Sequence, residues 1–351
     1  MIIFQNLIPT YRVNFFEYLR SKPEDKITIF SGQDSFDQTV VADKNFIVNH
    51  ELKNSYLFKR KLLIYRGIWY TLFKVEVLIF ELNPRNITAW IFLIIRKFFN
   101  LKTVLWGHAW SRSGKNSKSE FLRHFMRTLA TSIITYTESQ AEELKGKMTK
   151  KDIKSSSNAI YFKHQMSTDI STDKKNIIYV GRLVVEKKIR FLYLTFKEIL
   201  PELPDDVNLV IIGSGPEKEF LERDILKEKL HNRVALIEPL FTYDDLKKYY
   251  DNSLVSVSPG YVGLNIIQSF SFGVPMVFSR SESHSPEIEA AIENLNSISF
   301  ETDSIKDFKE CLLNIYLNKN YWINRREEIL VECKNKYSIE RMAQPFLDYL
   351  N

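Results

Sequence analysis

Between residues 177 and 278 the chain repeats one pattern: a short, almost wholly apolar run, followed by an amphipathic stretch rich in Lys, Glu and Asp. The runs cover 177–180, 209–212, 234–237, 254–257 and 275–278. A strand apolar on both faces must be covered on both, and helical crossovers between parallel strands supply that cover. The pattern predicts an α/β unit on a parallel sheet. In open sheets of this kind ligands lie outside the carboxyl ends of the strands, so the turns after these runs are where chemistry is to be sought.

The first half repeats the theme less regularly, with apolar runs at 27–30, 77–80, 103–106 and 132–135. A single core rarely grows beyond roughly 250–300 residues, so a chain of 351 predicts two domains. The polar interval 147–173 is the expected boundary. With 44% hydrophobic and 26% charged residues, a largely disordered chain is excluded. The start, Met1-Ile2-Ile3-Phe4, reads as a strand rather than a secretory signal. The longest apolar run, 89–95, is far short of the ~20 residues that span a bilayer. Two cysteines, Cys311 and Cys333, make no disulfide framework. A cytoplasmic protein is expected. The net charge of +6 divides unevenly, +11 over residues 1–160 and −5 over the rest, which points to anionic partners for the first half.

Three turns of the second half carry candidate chemistry. After the first run come Gly181-Arg182 and then Lys187; two cations beside a helix start suit a diphosphate, and solvated surface charges would show the same spacing. Gly213-Ser214-Gly215-Pro216 lacks the third glycine of a dinucleotide fingerprint and reads equally as a tight packing turn. The stretch 256–275 ends a strand in a glycine-rich loop that opens a helix. There Gly263 permits close backbone approach, and the N–H groups of Leu264 and Asn265 are expected to face an anion.

In this order the turns resemble those of the retaining glycosyltransferases of family 4, which have the GT-B fold. The resemblance implies two Rossmann-like domains facing a central cleft. Residues 1–160 would form the acceptor-side domain and 161–336 the nucleotide-sugar domain, with a terminal helix in 337–351 crossing back onto the first. It implies a diphosphate held by Arg182, Lys187 and the amides after Gly263, and a nucleoside held near Ile237 and by Gln268. The family's Glu-x7-Glu positions fall on Gly260 and Gln268. The Gln amide can still bind ribose hydroxyls, whereas glycine offers the donor sugar only backbone. Glu287, in Ser285-Pro286-Glu287, is a candidate substitute carboxylate or a helix-start acid complementing the dipole. His108, after the 103–106 run, matches the family's acceptor-domain histidine and is the catalytic candidate, with a structural role as the competing reading.

The activity so implied is retaining transfer of a sugar from a nucleotide diphosphate sugar to a glycan or lipid-linked acceptor, in capsule or O-antigen type polysaccharide synthesis. No cofactor or metal is expected, because no Asp-x-Asp motif occurs and a cationic site can stabilise a departing diphosphate. Basic and large apolar residues mix at 59–66 and 90–102. That mixture fits a surface drawn to an anionic membrane at the inner face of the cell, or core helices with charged rims. Two other readings stand: a GT-B relative that binds a nucleotide sugar without transferring it, prompted by Gly260, and a nucleic-acid-binding protein, prompted by the basic first half but without a recognisable module.

Overall fold

The computed structural model describes residues 1–22, 26–36, 41–111, 114–171 and 173–350. The chain forms two compact units, Met1–Ile160 with Ile339–Asn351, and Tyr161–Ser338.

The N-terminal unit contains strands β1 (Ile2–Gln5), β2 (Thr28–Ser31), β3 (His50–Glu51), β4 (Lys53–Leu57), β5 (Leu62–Arg66), β6 (Val77–Glu81), β7 (Lys102–Gly107), β8 (Ser132–Thr135) and β9 (Asp152–Ser155). Seven of them make a parallel sheet in the order β3-β2-β1-β6-β7-β8-β9. Its inner strands are built on the apolar runs and are buried on both faces. Phe4 stacks on Phe80 at 4.5 Å between ring centroids, and Phe92 of the helix Ile87–Phe98 closes over Phe80 at 5.4 Å. The helix Ile339–Leu347 belongs to this unit and begins two residues after the 337 start read from the sequence, because Tyr337 still caps the preceding helix through Cys333. It seats Phe346 against Phe15 and Trp106, at 5.3 and 4.8 Å.

Two segments differ from their sequence reading. Residues 59–66 are not helical: β4 and β5 pair antiparallel as a separate ribbon with Leu63 and Tyr65 inward. The polar interval 147–173, of which residue 172 lies outside the described residues, contains β9. An edge strand half open to water does not require apolar residues, so it reads as linker.

The C-terminal unit has β10 (Asn176–Val180), β11 (Leu209–Ile212), β12 (Val234–Ile237), β13 (Ser253–Ser258), β14 (Met276–Ser279) and β15 (Ser297–Phe300), all parallel in the order β12-β11-β10-β13-β14-β15. The helix Ile189–Ile199 covers one face with Ile189, Leu192, Tyr193, Phe196 and Ile199, one helical stripe turned fully inward. Both units are Rossmann-like. In each the strand order reverses once, between β1 and β6 and between β10 and β13. Those switch points are where such sheets open a crevice.

Candidate active site

In the C-terminal unit the loops after β10 and β13 flank the switch point, and the sequence candidates sit on both. The loop after β11 sets the first one in place. A Cβ at Gly213 would collide with the Gly181 carbonyl oxygen, and one at Gly215 with the backbone of Leu183. Only glycine lets the loops touch, and they are then laced by Leu183 N–H to Ser214 O at 2.8 Å and Glu217 N–H to Leu183 O at 3.0 Å. Buried Glu217 pairs with Arg190 to fix the start of the following helix. The Gly-x-Gly turn is thus a packing device. Arg182, on the loop it supports, is exposed.

Lys187 ends a short 3-10 turn, Val185–Lys187, and donates through Nζ to the Tyr261 carbonyl, with the ammonium 4.3 Å from the Tyr261 ring centroid. Burial, together with the charge of Arg182, brings its pKa down to about 8, against the opposing pull of Glu287. A buried ammonium disfavoured by burial and by a neighbouring guanidinium, with too little negative charge nearby to offset both, makes a site that gains when an anion arrives.

Gly260 explains its own missing side chain. Its Cα packs on the 186–187 backbone, and a Cβ would overlap the Glu186 carbonyl oxygen. Tyr261 N–H also donates to that oxygen at 3.2 Å. A glutamate does not fit this loop pairing. Gly263 is different. Its φ is not in the left-handed region, and a Cβ there would meet only the Tyr261 ring at 3.4 Å and Ser285 Oγ at 3.7 Å. Neither strain nor packing within the unit requires glycine at that position. Among the described residues the N–H groups of Leu264 and Asn265 meet no acceptor, while Asn265 Oδ1 accepts from Gly263 N–H at 2.8 Å.

The loop after β14 is stapled to the loop after β13. Val262 N–H donates to His284 Nδ1 at 3.0 Å and Ser285 N–H to Val262 O at 2.9 Å. His284 Nε2 lies 2.8 Å from Ser279 O, so the ring is neutral with its proton on Nε2. Burial holds its pKa below the ordinary histidine value. The staple delivers Glu287, which is buried and is the second residue of the 3-10 turn Pro286–Ala290. Gln268 donates through Nε2 to Tyr161 OH at 3.2 Å, leaving its carbonyl oxygen as an acceptor. Ile237 ends β12, and its carbonyl accepts from Gly213 N–H at 3.0 Å.

In the N-terminal unit His108 follows β7, is exposed, and meets Tyr136 edge-on at 4.7 Å. Arg12 lies over Trp106 and Tyr136, 4.8 and 5.1 Å from their centroids, and donates to Asn158 Oδ1 at 3.2 Å. Sequence reasoning missed two residues at this unit's own switch point. Asn6 follows β1, and Glu81 ends β6. Both Glu81 oxygens accept from Asn6, at 2.8 Å from the backbone N–H and 2.6 Å from Nδ2. Burial raises the Glu81 pKa despite those bonds and the charge of Arg12. For Glu81 the signal was available, since it directly follows the apolar run 77–80; Asn6 stands after Gln5, one residue beyond its run.

Comparisons with known proteins agree with this architecture. Residues 162–329 match the family model described as glycosyl transferases group 1. An uncharacterized glycosyltransferase of Methanocaldococcus jannaschii is 26% identical over 181 residues, which take in 51% of this chain and 45% of that protein. Among solved structures, Anabaena HepE in complex with UDP superposes with a TM-score of 0.69 at 12% identity, covering 99% of this chain and 98% of that one. The lipopolysaccharide outer core galactosyltransferase WaaB, in its apo form, gives 0.66 at 15% identity with the same coverage. By architecture the chain has the GT-B fold, and residues 162–329 of its C-terminal unit are similar to the glycosyl transferases group 1 domain.

Proposed function

We propose that the protein is a glycosyltransferase that takes a sugar from a nucleoside diphosphate sugar and places it on a glycan or lipid-linked acceptor. The observation that carries the reading is the pair Arg182 and Lys187 on one side of the β10/β13 switch point, where burial and the charge of Arg182 hold the Lys187 pKa down, with the unpaired Leu264 and Asn265 N–H groups on the other. Charge that builds on a departing diphosphate is stabilised most by donors already in place before it forms. These groups provide the positive charge that a divalent ion supplies elsewhere, so the reading assigns no metal.

Gln268 is assigned to the ribose, the Ile237 strand end to the base, and Glu287 to the sugar side, where Gly260 cannot act. His108 is assigned to orienting the acceptor hydroxyl. Retention follows if the acceptor attacks on the face the diphosphate leaves. The UDP bound to HepE makes uridine diphosphate the first nucleotide to test, and the named substrate of WaaB favours a surface-glycan setting of capsule or O-antigen type. We place the reaction in the cytoplasm, at the inner face of the membrane.

The displaced carboxylate at Gly260 favours one second reading, donor binding without transfer. A panel of UDP-sugars, assayed for UDP release with and without glycan acceptors, separates the two. The proposal expects release that rises with acceptor and drops at least about tenfold in Glu287→Gln, the loss of a charged hydrogen bond. Tight UDP binding with no release from any donor supports the second reading.

A further inference from the structure

The helix Ile87–Phe98 is apolar on two faces, and only one is covered. Thr88, Ala89, Phe92 and Leu93 face the core, whereas Ile91, Ile94 and Phe98 are exposed, Phe98 by 82%. A helix apolar all round is ordinarily buried.

Ring contacts extend this face in both directions. Phe98 meets Phe99 at 5.3 Å, and Phe99 meets exposed Phe73 at 5.2 Å. On the other side Trp90 stacks on Phe125 at 5.8 Å, joining the helix Glu120–Leu129 with its exposed Phe121 and Leu122. Buried Arg96 locks the arrangement: its guanidinium donates to the carbonyls of Leu72, Val75, Glu76 and Lys102, holding the Phe73 segment beside the helix end.

The charge around the patch is predominantly positive. Residues 44–127, which contain all of it, hold 16 Lys and Arg against 4 Asp and Glu. Of those acids Glu76 is paired with Lys102, Glu120 with Arg127, and Glu81 accepts from Asn6. Exposed aromatics on helices within a basic surround match the headgroup boundary of an anionic bilayer, where rings bury in the acyl edge and lysines meet lipid phosphate. Continuous apolar patches of this kind are rare on monomeric proteins without a partner.

We propose that this face of the N-terminal unit docks on an anionic lipid bilayer, with Phe98, Phe99, Phe121 and Leu122 entering the headgroup boundary. The proposal does not rest on the nucleotide site, and UDP-induced thermal stabilisation reports on that site separately.

The test is flotation of the full chain with phosphatidylcholine vesicles, with and without phosphatidylglycerol. Binding is expected only with the anionic lipid and is expected to weaken as salt is added. Phe98→Ser with Phe121→Ser, which keeps every charge, should weaken it at least about tenfold. Lys74→Gln with Lys97→Gln, which keeps every ring, should weaken it about tenfold or more. All four substitutions are at exposed positions, and an unchanged UDP response confirms that the variants are folded.

Four results overturn the proposal. One is equal, weak flotation with both vesicle types. Another is undiminished binding by the Phe variant. The third is a concentration-dependent dimer in sedimentation velocity that the Phe variant abolishes, which would assign the face to a second copy. Release of bound protein from the vesicles by a single-stranded DNA oligonucleotide in the Phe variant and the wild type alike would assign it to nucleic acid and equally overturn the proposal.

Discussion

Two glycines three residues apart obey different constraints. Gly260 is fixed by the backbone beneath it, so Gly260→Ala must push the 186–187 loop away; a loss of about 1–3 kcal/mol in stability is expected, together with loss of UDP binding. Gly263 has room for a methyl group, so Gly263→Ala should melt within a degree or so of the wild type yet bind UDP at least about tenfold more weakly. Thermal melts with and without UDP check both. If Gly263→Ala binds UDP normally, the space above that backbone does not belong to the ligand.

Lys187 gives the pH dependence. Its pKa is down to about 8 in the free protein, against about 10.4 for an ordinary lysine. The folded chain therefore holds fewer protons than the unfolded one between these values. Its contribution to stability is present above about 10.4 and is lost as pH falls through about 8. Ligand binding runs the other way. A diphosphate favours the ammonium, so UDP affinity should fall as pH rises past about 8, and Lys187→Arg, which stays charged, should remove most of that slope. A titration of UDP affinity against pH in both proteins decides it; a flat wild-type profile would separate Lys187 from the anion. From the sequence, Arg182 and Lys187 could be found by spacing. The backbone contact that excludes a side chain at Gly260 could not, because it joins loops that are far apart along the chain.

Among the elements, the legible strands are mostly those buried on both faces; β12, a half-buried edge strand, was legible from its apolar composition alone. The apolar runs at 77–80, 103–106 and 132–135, and at 177–180 through 275–278, all became sheet. The strands not read, β3, β9 and β15, lie at sheet edges, where one flank is open and Ser, Lys or Glu suffices. The β4/β5 ribbon was obscured by a tip of three successive left-handed residues, Phe58, Lys59 and Arg60, none of them a glycine that would mark a turn.

Two arginines, Arg96 and Arg326, also went unread, since nothing local separates a buried guanidinium from a surface one. Each sits in its unit wrapped by backbone carbonyls, and burial pulls each down to about 10. Arg96→Met keeps the volume but leaves several buried carbonyls without a donor. A loss of about 3 kcal/mol or more in denaturant unfolding is expected. A change within about 0.5 kcal/mol would show that water replaces the guanidinium.

At the scale of the molecule, the chain folds as two Rossmann-like units with their polar residues gathered at the carboxyl ends of the strands. The N-terminal unit closes with the last helix of the chain, through Phe346, Ser156 Oγ to Met342 O at 2.8 Å, and Lys154 to Asp348 at 2.9 Å. The C-terminal unit is continuous in sequence and holds the proposed diphosphate site entirely within itself. The central claim is therefore that Arg182 and its neighbours bind a nucleoside diphosphate. Calorimetric titration of UDP into the wild type and Arg182→Ala, with folding checked by circular dichroism, tests it most directly. Saturable binding in the wild type that weakens about tenfold to hundredfold in a folded Arg182→Ala is the predicted result; equal affinity in the two proteins, or none in the wild type, would contradict it.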